Sequence, residues 1–420
     1  MHPGSPTPGV RRRAPRSVRT AIAVVVALTG AALTPIAVAQ AEPAAPPSTS
    51  TLLDIAIPAV HGPVEDKWLP GYTGGPRAKV LLPAHYDPTK RYPLLVLLVG
   101  LTSSYHLWSD PGAGQIAKTA AGLDAIIVMP EAGNGWYTDW WNKGQRGGPS
   151  WETYILDDVI PYMTSNYPIR PERRWHALAG VSMGGLGTAY LGGRLPGFFG
   201  SISVFSGLVD TELIWGQSWI MSFIPQYLAK SEPIDLDALY GPATGFYFKG
   251  HDPTRLAANL KNTRVFLSTG NGIPTEDGEP HTDQPTDAIA EAMIIHTAMD
   301  SYQRSLKKAG VDVTYRLHNG MHSWPNFRTE FKDAMAWGFF EPVVEQPSSW
   351  VNDTVATHGN LWGTDYRFAS GPTKVVRFTR AGTTLAVSAA GSPVTLTTAG
   401  GCVITTPTPG TVTLPQSPCG

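Results

Sequence analysis

The six residues Gly180-Val181-Ser182-Met183-Gly184-Gly185 constrain this chain more than any other stretch. Arg174-Trp175-His176-Ala177-Leu178-Ala179 precedes them and Leu186-Gly187-Thr188-Ala189-Tyr190-Leu191 follows, so the segment reads as strand, sharp turn and helix. A serine between glycines at such a turn matches G-x-S-x-G, in which a strained backbone lifts the hydroxyl above a sheet. Glycines around it let strand and helix approach closely. The helix N-terminus, with the Met183 N–H, then faces the place where a tetrahedral oxyanion would form. A glycine-rich turn with an incidental serine is the plain alternative, and partner residues decide between the two.

A serine hydroxyl is a weak nucleophile until a base takes its proton. On a G-x-S-x-G scaffold the partners follow in the order serine, acid, histidine, with the histidine in the loop after the last strand. That loop is His318-Asn319-Gly320-Met321-His322-Ser323-Trp324-Pro325, and His322 is the expected base. His318, nearer the strand, is its rival. The acid is less direct. The strand 265–268 runs into Thr269-Gly270-Asn271-Gly272-Ile273-Pro274 without a carboxylate, which leaves Glu276, Asp277, Asp283, Asp287 and Glu291. Ile295, Met299, Tyr302 and Leu306 form an apolar stripe at helical spacing, and Glu291 lies one turn ahead on it. A carboxylate forced inward needs a partner, and an imidazolium N–H is a good one. Asp287, one turn earlier, is the alternative acid or a helix cap. A solvated acidic loop explains the 276–287 cluster better than a calcium site, and neither metal nor cofactor is expected. Gly100 turns the loop Val99-Gly100-Leu101-Thr102-Ser103-Ser104, making the Leu101 N–H the expected second oxyanion donor. Trp324 and Trp140 are the expected walls of a substrate site.

Acidic and basic residues number 33 and 32, which gives no basis for nucleic-acid binding. Arg11, Arg12, Arg13, Arg16 and Arg19 precede an apolar run over 21–38, and Ala37-Val38-Ala39 or Ala39-Gln40-Ala41 offers small-residue cleavage. Residues 1–41 therefore read as a signal peptide, 42–51 as a flexible start to the mature, secreted chain, with no transmembrane segment left after cleavage; a signal anchor is the rival. The two cysteines, Cys402 and Cys419, read in an exported protein as one disulfide, with two free thiols as the alternative.

Continuous aliphatic runs at 92–99 and 124–130 suit strands buried on both faces. Early strands at 52–60 and 78–82 suggest an antiparallel edge, and further strands fall at 174–180, 202–206, 263–268 and 311–317. Helical spacing marks 151–163 and 286–308. This alternation predicts an α/β fold with a mostly parallel sheet between helices over 52–341. An aromatic insertion between 210 and 260 is placed to cover or border the active site, or to form a small core of its own. From 342 to 420, charges thin out and short alternating runs (375–378, 384–387) between glycines and prolines predict a small all-β module. It is a structural cap or a binder of cell-wall glycan.

Several segments resemble the exported esterase family (esterase D-like) that includes the antigen-85 mycolyltransferases: Tyr137-Thr138-Asp139-Trp140, Trp151-Glu152-Thr153-Tyr154, Val181-Ser182-Met183-Gly184, Leu239-Tyr240-Gly241-Pro242, Asp252-Pro253-Thr254, Asn262-Thr263-Arg264, Gly270-Asn271-Gly272-Ile273-Pro274 and His322-Ser323-Trp324. They occur in the family's order between about 93 and 337. The resemblance implies an α/β-hydrolase fold and a Ser–Glu–His triad with its glutamate on the helix before the last strand, which agrees with Glu291. Mycolyltransferases carry Asp-Gly-Leu-Arg at the oxyanion loop, and its charged side chains help hold trehalose. Here Val99-Gly100-Leu101-Thr102 lacks both charges, excluding a sugar acceptor held by that pair. The expected activity is that of a secreted serine esterase or acyltransferase acting on a small or lipid-like acyl ester. A mycolyltransferase or diacylglycerol acyltransferase proper is one rival, and a non-catalytic wall-binding protein or adhesin is the other.

Overall fold

Burial on both faces builds the central sheet. Along β3 (Leu94–Leu98), Leu94, Val96 and Leu98 enter one apolar cluster while Leu95 and Leu97 enter another on the opposite face. β4 (Ile126–Pro130) divides in the same way, Ile126 and Val128 against Ile127 and Met129. A run without polar alternation is thus a strand covered on both sides. The structure, a computed structural model, describes residues 49–64, 75–145, 148–215, 236–274 and 285–419. The proposed signal peptide, residues 216–235 of the aromatic insertion, and Glu276, Asp277 and Asp283 lie outside the described residues.

The remaining strands are β1 (Thr51–Ala56), β2 (Arg77–Leu82), β5 (His176–Val181), β6 (Ser201–Phe205), β7 (Arg264–Gly270) and β8 (Val313–His318), in the order β1-β2-β4-β3-β5-β6-β7-β8. β1 and β2 pair antiparallel, as do β2 and β4; the other neighbours are parallel. The helix Met183–Arg194 and the helical run Trp151–Thr153, Tyr154–Val159 and Ile160–Asn166 feed one cluster, and the helix Trp324–Trp337 packs Phe327, Phe331 and Ala334 into the other. Each fully buried Leu, Ile or Phe there contributes about 1.5–3 kcal/mol. This is the α/β-hydrolase fold.

The C-terminal strands form two four-stranded antiparallel sheets. One is β10 (His358–Leu361), β11 (Thr364–Phe368), β14 (Val394–Thr398) and β15 (Val403–Thr406); the other is β9 (Ser349–Thr354), β12 (Val376–Ala381), β13 (Thr384–Val387) and β16 (Gly410–Thr413). Tyr366, Phe368 and Leu396 from the first meet Phe378, Leu385 and Val387 from the second in a separate apolar core, as in a sandwich. Cys402 and Cys419 are joined, with Cα atoms 5.0 Å apart. Hydrogen bonds tie these sheets to the α/β core: Asn352 Nδ2 donates to the Gly193 carbonyl (2.8 Å), and Arg194 Nη1 to the Tyr366 hydroxyl (3.0 Å).

Candidate active site

Ser182 stands between the end of β5 and the helix Met183–Arg194 with φ 56° and ψ −119°, a region that L-residues rarely occupy. The neighbourhood makes this turn unavoidable. A Cβ on Gly184 would lie 2.7 Å from the Val99 carbonyl oxygen, so only glycine lets the helix start this close to the loop after β3. A Cβ on Gly100 would reach within 3.3 Å of Ser182 Cβ, which brings the Leu101 stretch alongside the serine. Tyr137 fixes that loop: its hydroxyl accepts from Val99 N (2.9 Å) and donates to the Val99 carbonyl (2.9 Å). Asn134 Oδ1 accepts from Thr102 N at 2.8 Å, holding Thr102 at φ 57°.

His322 follows β8. Its backbone N–H donates to the Asp287 carbonyl (3.2 Å), and its ring lies 5.1 Å from that of Phe327, edge to face. Nε2 is 2.9 Å from Ser182 Oγ and Nδ1 is 2.8 Å from Glu291 Oε2. Serine, imidazole and carboxylate are therefore in line within hydrogen-bond reach. His318 sits elsewhere, its Nε2 3.5 Å from Glu330 Oε1. Asp287 meets His322 through its main chain.

Glu291 lies in a π-helical turn, Ala290–Ile295, between the helices Pro285–Ile289 and His296–Lys308. Such turns are frequent at functional sites because the widened helix re-aims one side chain. The stripe points inward: Ile295, Met299, Tyr302 and Leu306 are buried, and Glu291 is 0% exposed. Its Oε1 accepts from Ser206 Oγ (2.6 Å), Thr269 Oγ1 (2.8 Å) and Gly270 N (2.7 Å). With His322 on the other oxygen, this buried carboxylate is supplied with donors.

Ser206, Thr269 and Tyr137 are contributors that sequence reasoning missed, and so is Glu330. Glu330, also 0% exposed, has Oε1 2.9 Å from Ser206 Oγ. Ser206 has a single hydroxyl proton for two carboxyl groups. Burial, with the charge of Glu291 adding, pushes Glu330 up to about 8, although His318 works the other way. Glu330 is therefore protonated at neutral pH, its O–H donating to Ser206, which donates in turn to Glu291. Asn326 Nδ2 completes the cluster with a 3.3 Å bond to Ser206 Oγ. A carboxyl raised by folding lends stability that is whole below its unfolded value, near 4.5, and is lost as pH rises through about 8. Glu330→Gln, neutral at every pH, should flatten that dependence. Urea unfolding should show wild type losing about 2–4 kcal/mol relative to the variant between pH 5 and pH 9. Parallel curves would contradict a neutral Glu330.

A pocket of about 190 Å3 opens beside Ser182, lined by Leu101, Leu208, Ile294, Ile295, Trp324 and Phe327 among others. Trp324 thus borders the serine. Trp140 does not: it is 9% exposed, packs in the core and donates from Nε1 to the Gly135 carbonyl (3.3 Å). The positive φ angles of Trp136 and Tyr137 (57° and 55°) belong to the turn that leads into this core position. No group of three or more His, Cys, Asp or Glu suited to a metal ion occurs among the described residues.

The fold and this geometry define an α/β-hydrolase of the serine type. The family model described as "Putative esterase" matches residues 74–337, so the chain belongs to that family. It is 27% identical over 210 residues to the diacylglycerol acyltransferase/mycolyltransferase Ag85C of Mycobacterium avium, covering 47% of this chain and 56% of that one. It is 34% identical over 245 residues to the esterase Rv1288 of Mycobacterium tuberculosis, covering 56% of this chain and 50% of that one. The chain thus spans about half the length of the curated relatives it matches. The crystal structure of MPT51 from Mycobacterium tuberculosis is 19% identical, with a TM-score of 0.50 over 67% of this chain and 100% of that one, and shares the fold.

Proposed function

We propose that this protein is a secreted serine esterase or acyltransferase working through an acyl-Ser182 intermediate. The observation that carries the reading is the line from Ser182 Oγ to His322 Nε2 (2.9 Å) and from His322 Nδ1 to Glu291 Oε2 (2.8 Å). Ser182 Oγ attacks the ester carbonyl carbon as its proton passes to His322 Nε2, and the imidazolium is stabilised by Glu291. The oxyanion takes hydrogen bonds from the Leu101 and Met183 N–H groups. His322 then protonates the departing alkoxide, leaving the acyl group on Ser182. Water or a hydroxyl acceptor, deprotonated by His322, attacks that carbonyl, and Ser182 recovers its proton.

The apolar lining of the adjoining pocket favours an apolar acyl group. The uncharged Val99 and Thr102 weigh against trehalose as acceptor. Export rests on the basic leader and apolar run of 1–41, and the division into 52–341 and 342–420 on the change of composition. For the C-terminal sheets two roles stand, a structural cap and a binder of cell-wall glycan.

Short- and long-chain p-nitrophenyl esters, with and without glycerol or trehalose, test the reaction. Free acid alone identifies an esterase and acylated acceptor a transferase. No turnover of any ester by folded protein would overturn both.

A further inference from the structure

A larger cavity, about 830 Å3, shares no lining residue with the pocket at Ser182. One wall comes from the α/β core, with Glu152, Arg194, Tyr247 and His251. The other comes from the outer face of β11 and β14. On these strands alternate residues enter the sandwich core, which leaves Asp365 opposite Thr397 and Arg367 opposite Thr395 as a polar floor to the cleft.

Three features describe what fits there. First, two pairs of lining charges are matched at short range. Glu152 Oε1 accepts from Arg194 Nε at 2.6 Å, and His358 Nε2 lies 3.0 Å from Asp157 Oδ2. Asp365 and Arg367 on the floor add one charge of each sign, so the cleft carries no strong excess of either to select an anion or a cation. Second, a buried donor-acceptor group stands unmatched. His251 is 2% exposed, and its Nδ1, 2.7 Å from the Tyr247 carbonyl, must carry a proton and donate. Its Nε2 has no hydrogen-bond partner, since Glu152 Oε2 at 3.8 Å is out of range. Third, the wall is firm: His251 is packed 4.7 Å from Tyr190 and 4.3 Å from Tyr247, centroid to centroid, and all three rings are buried, which fixes where Nε2 stands. A rigid ligand that is uncharged and rich in hydroxyls suits all three.

The geometry points to this cleft as a binding site for a neutral oligosaccharide, held between the outer face of β11 and β14 and the wall carrying His251. This deepens the glycan reading of the C-terminal sheets, on which it rests, and is independent of the acyl-Ser182 chemistry. The test is isothermal titration calorimetry on the full chain carrying Ser182→Ala, with cellohexaose, xylohexaose and maltohexaose as probes. At least one should bind saturably with a Kd below about 1 mM. The pair Asp365→Ala/Arg367→Ala, both exposed, should weaken that binding about tenfold or more while leaving ester turnover in the Ser182 background unchanged. His251→Phe keeps the ring and removes Nε2, and should weaken it likewise. Should that variant fail to fold, the exposed pair still decides. Binding untouched by the pair overturns the cleft while sparing the glycan reading. No binding of any of the three overturns both.

Discussion

Replacing His322 with alanine is expected to lower kcat for a short-chain p-nitrophenyl ester by on the order of 10⁴–10⁶, with KM little changed. The size follows from geometry. Nε2 stands 2.9 Å from Ser182 Oγ, and among the described residues no other imidazole occupies that position: His318 is directed to Glu330. Without the ring, the hydroxyl keeps its proton at neutral pH and the departing alkoxide has no acid. The residual rate belongs to the oxyanion donors and to binding. Stability should change little, because His322 is a partly exposed loop residue. Activity within tenfold of wild type would mean that another base serves Ser182.

The second large effect is Glu291→Gln, expected to cost about 10³–10⁴ in kcat. The amide oxygen can still accept from Ser206, Thr269 and Gly270, so the fold of that corner is preserved. The amide nitrogen, turned to His322, donates to Nδ1 and forces the proton onto Nε2. A ring protonated on Nε2 cannot accept from Ser182. Glu291→Asp, retracted by one methylene, should lose less than Glu291→Gln if tautomer control dominates, and steady-state kinetics on both variants compares the two. Equal activity of Glu291→Gln and wild type would remove Glu291 from the reaction.

Much of this site was legible because its signals are local. Ser182 announces itself through the glycines of its own turn, His322 through its place after the last strand, and Glu291 through its spacing to Ile295, Met299, Tyr302 and Leu306. The buried strands β3 and β4 were legible for the same reason, as uninterrupted aliphatic runs. What the sequence hid is tertiary. Ser206, Thr269 and Glu330 come from the end of β6, from β7 and from the helix Trp324–Trp337, and nothing in their local patterns brings them together. The protonated Glu330 behind Glu291 follows only from seeing two carboxyl groups share one hydroxyl. Trp140 shows the opposite error: an aromatic in a loop read as a substrate wall, whereas the turn carries it into the core. In the C-terminal region the runs at 375–378 and 384–387 stood out, while most of the other strands there are only four or five residues long and offer too few positions for a pattern to show.

The central claim is that Ser182 alone among the serines is made nucleophilic by the His322 ring. Intact-mass analysis after treatment with a fluorophosphonate tests it most directly. One adduct, mapped to the peptide containing Ser182 and absent from Ser182→Ala, is the expected result. Folded wild type that takes up no adduct, or Ser182→Ala that is labelled as fully as wild type, would contradict it.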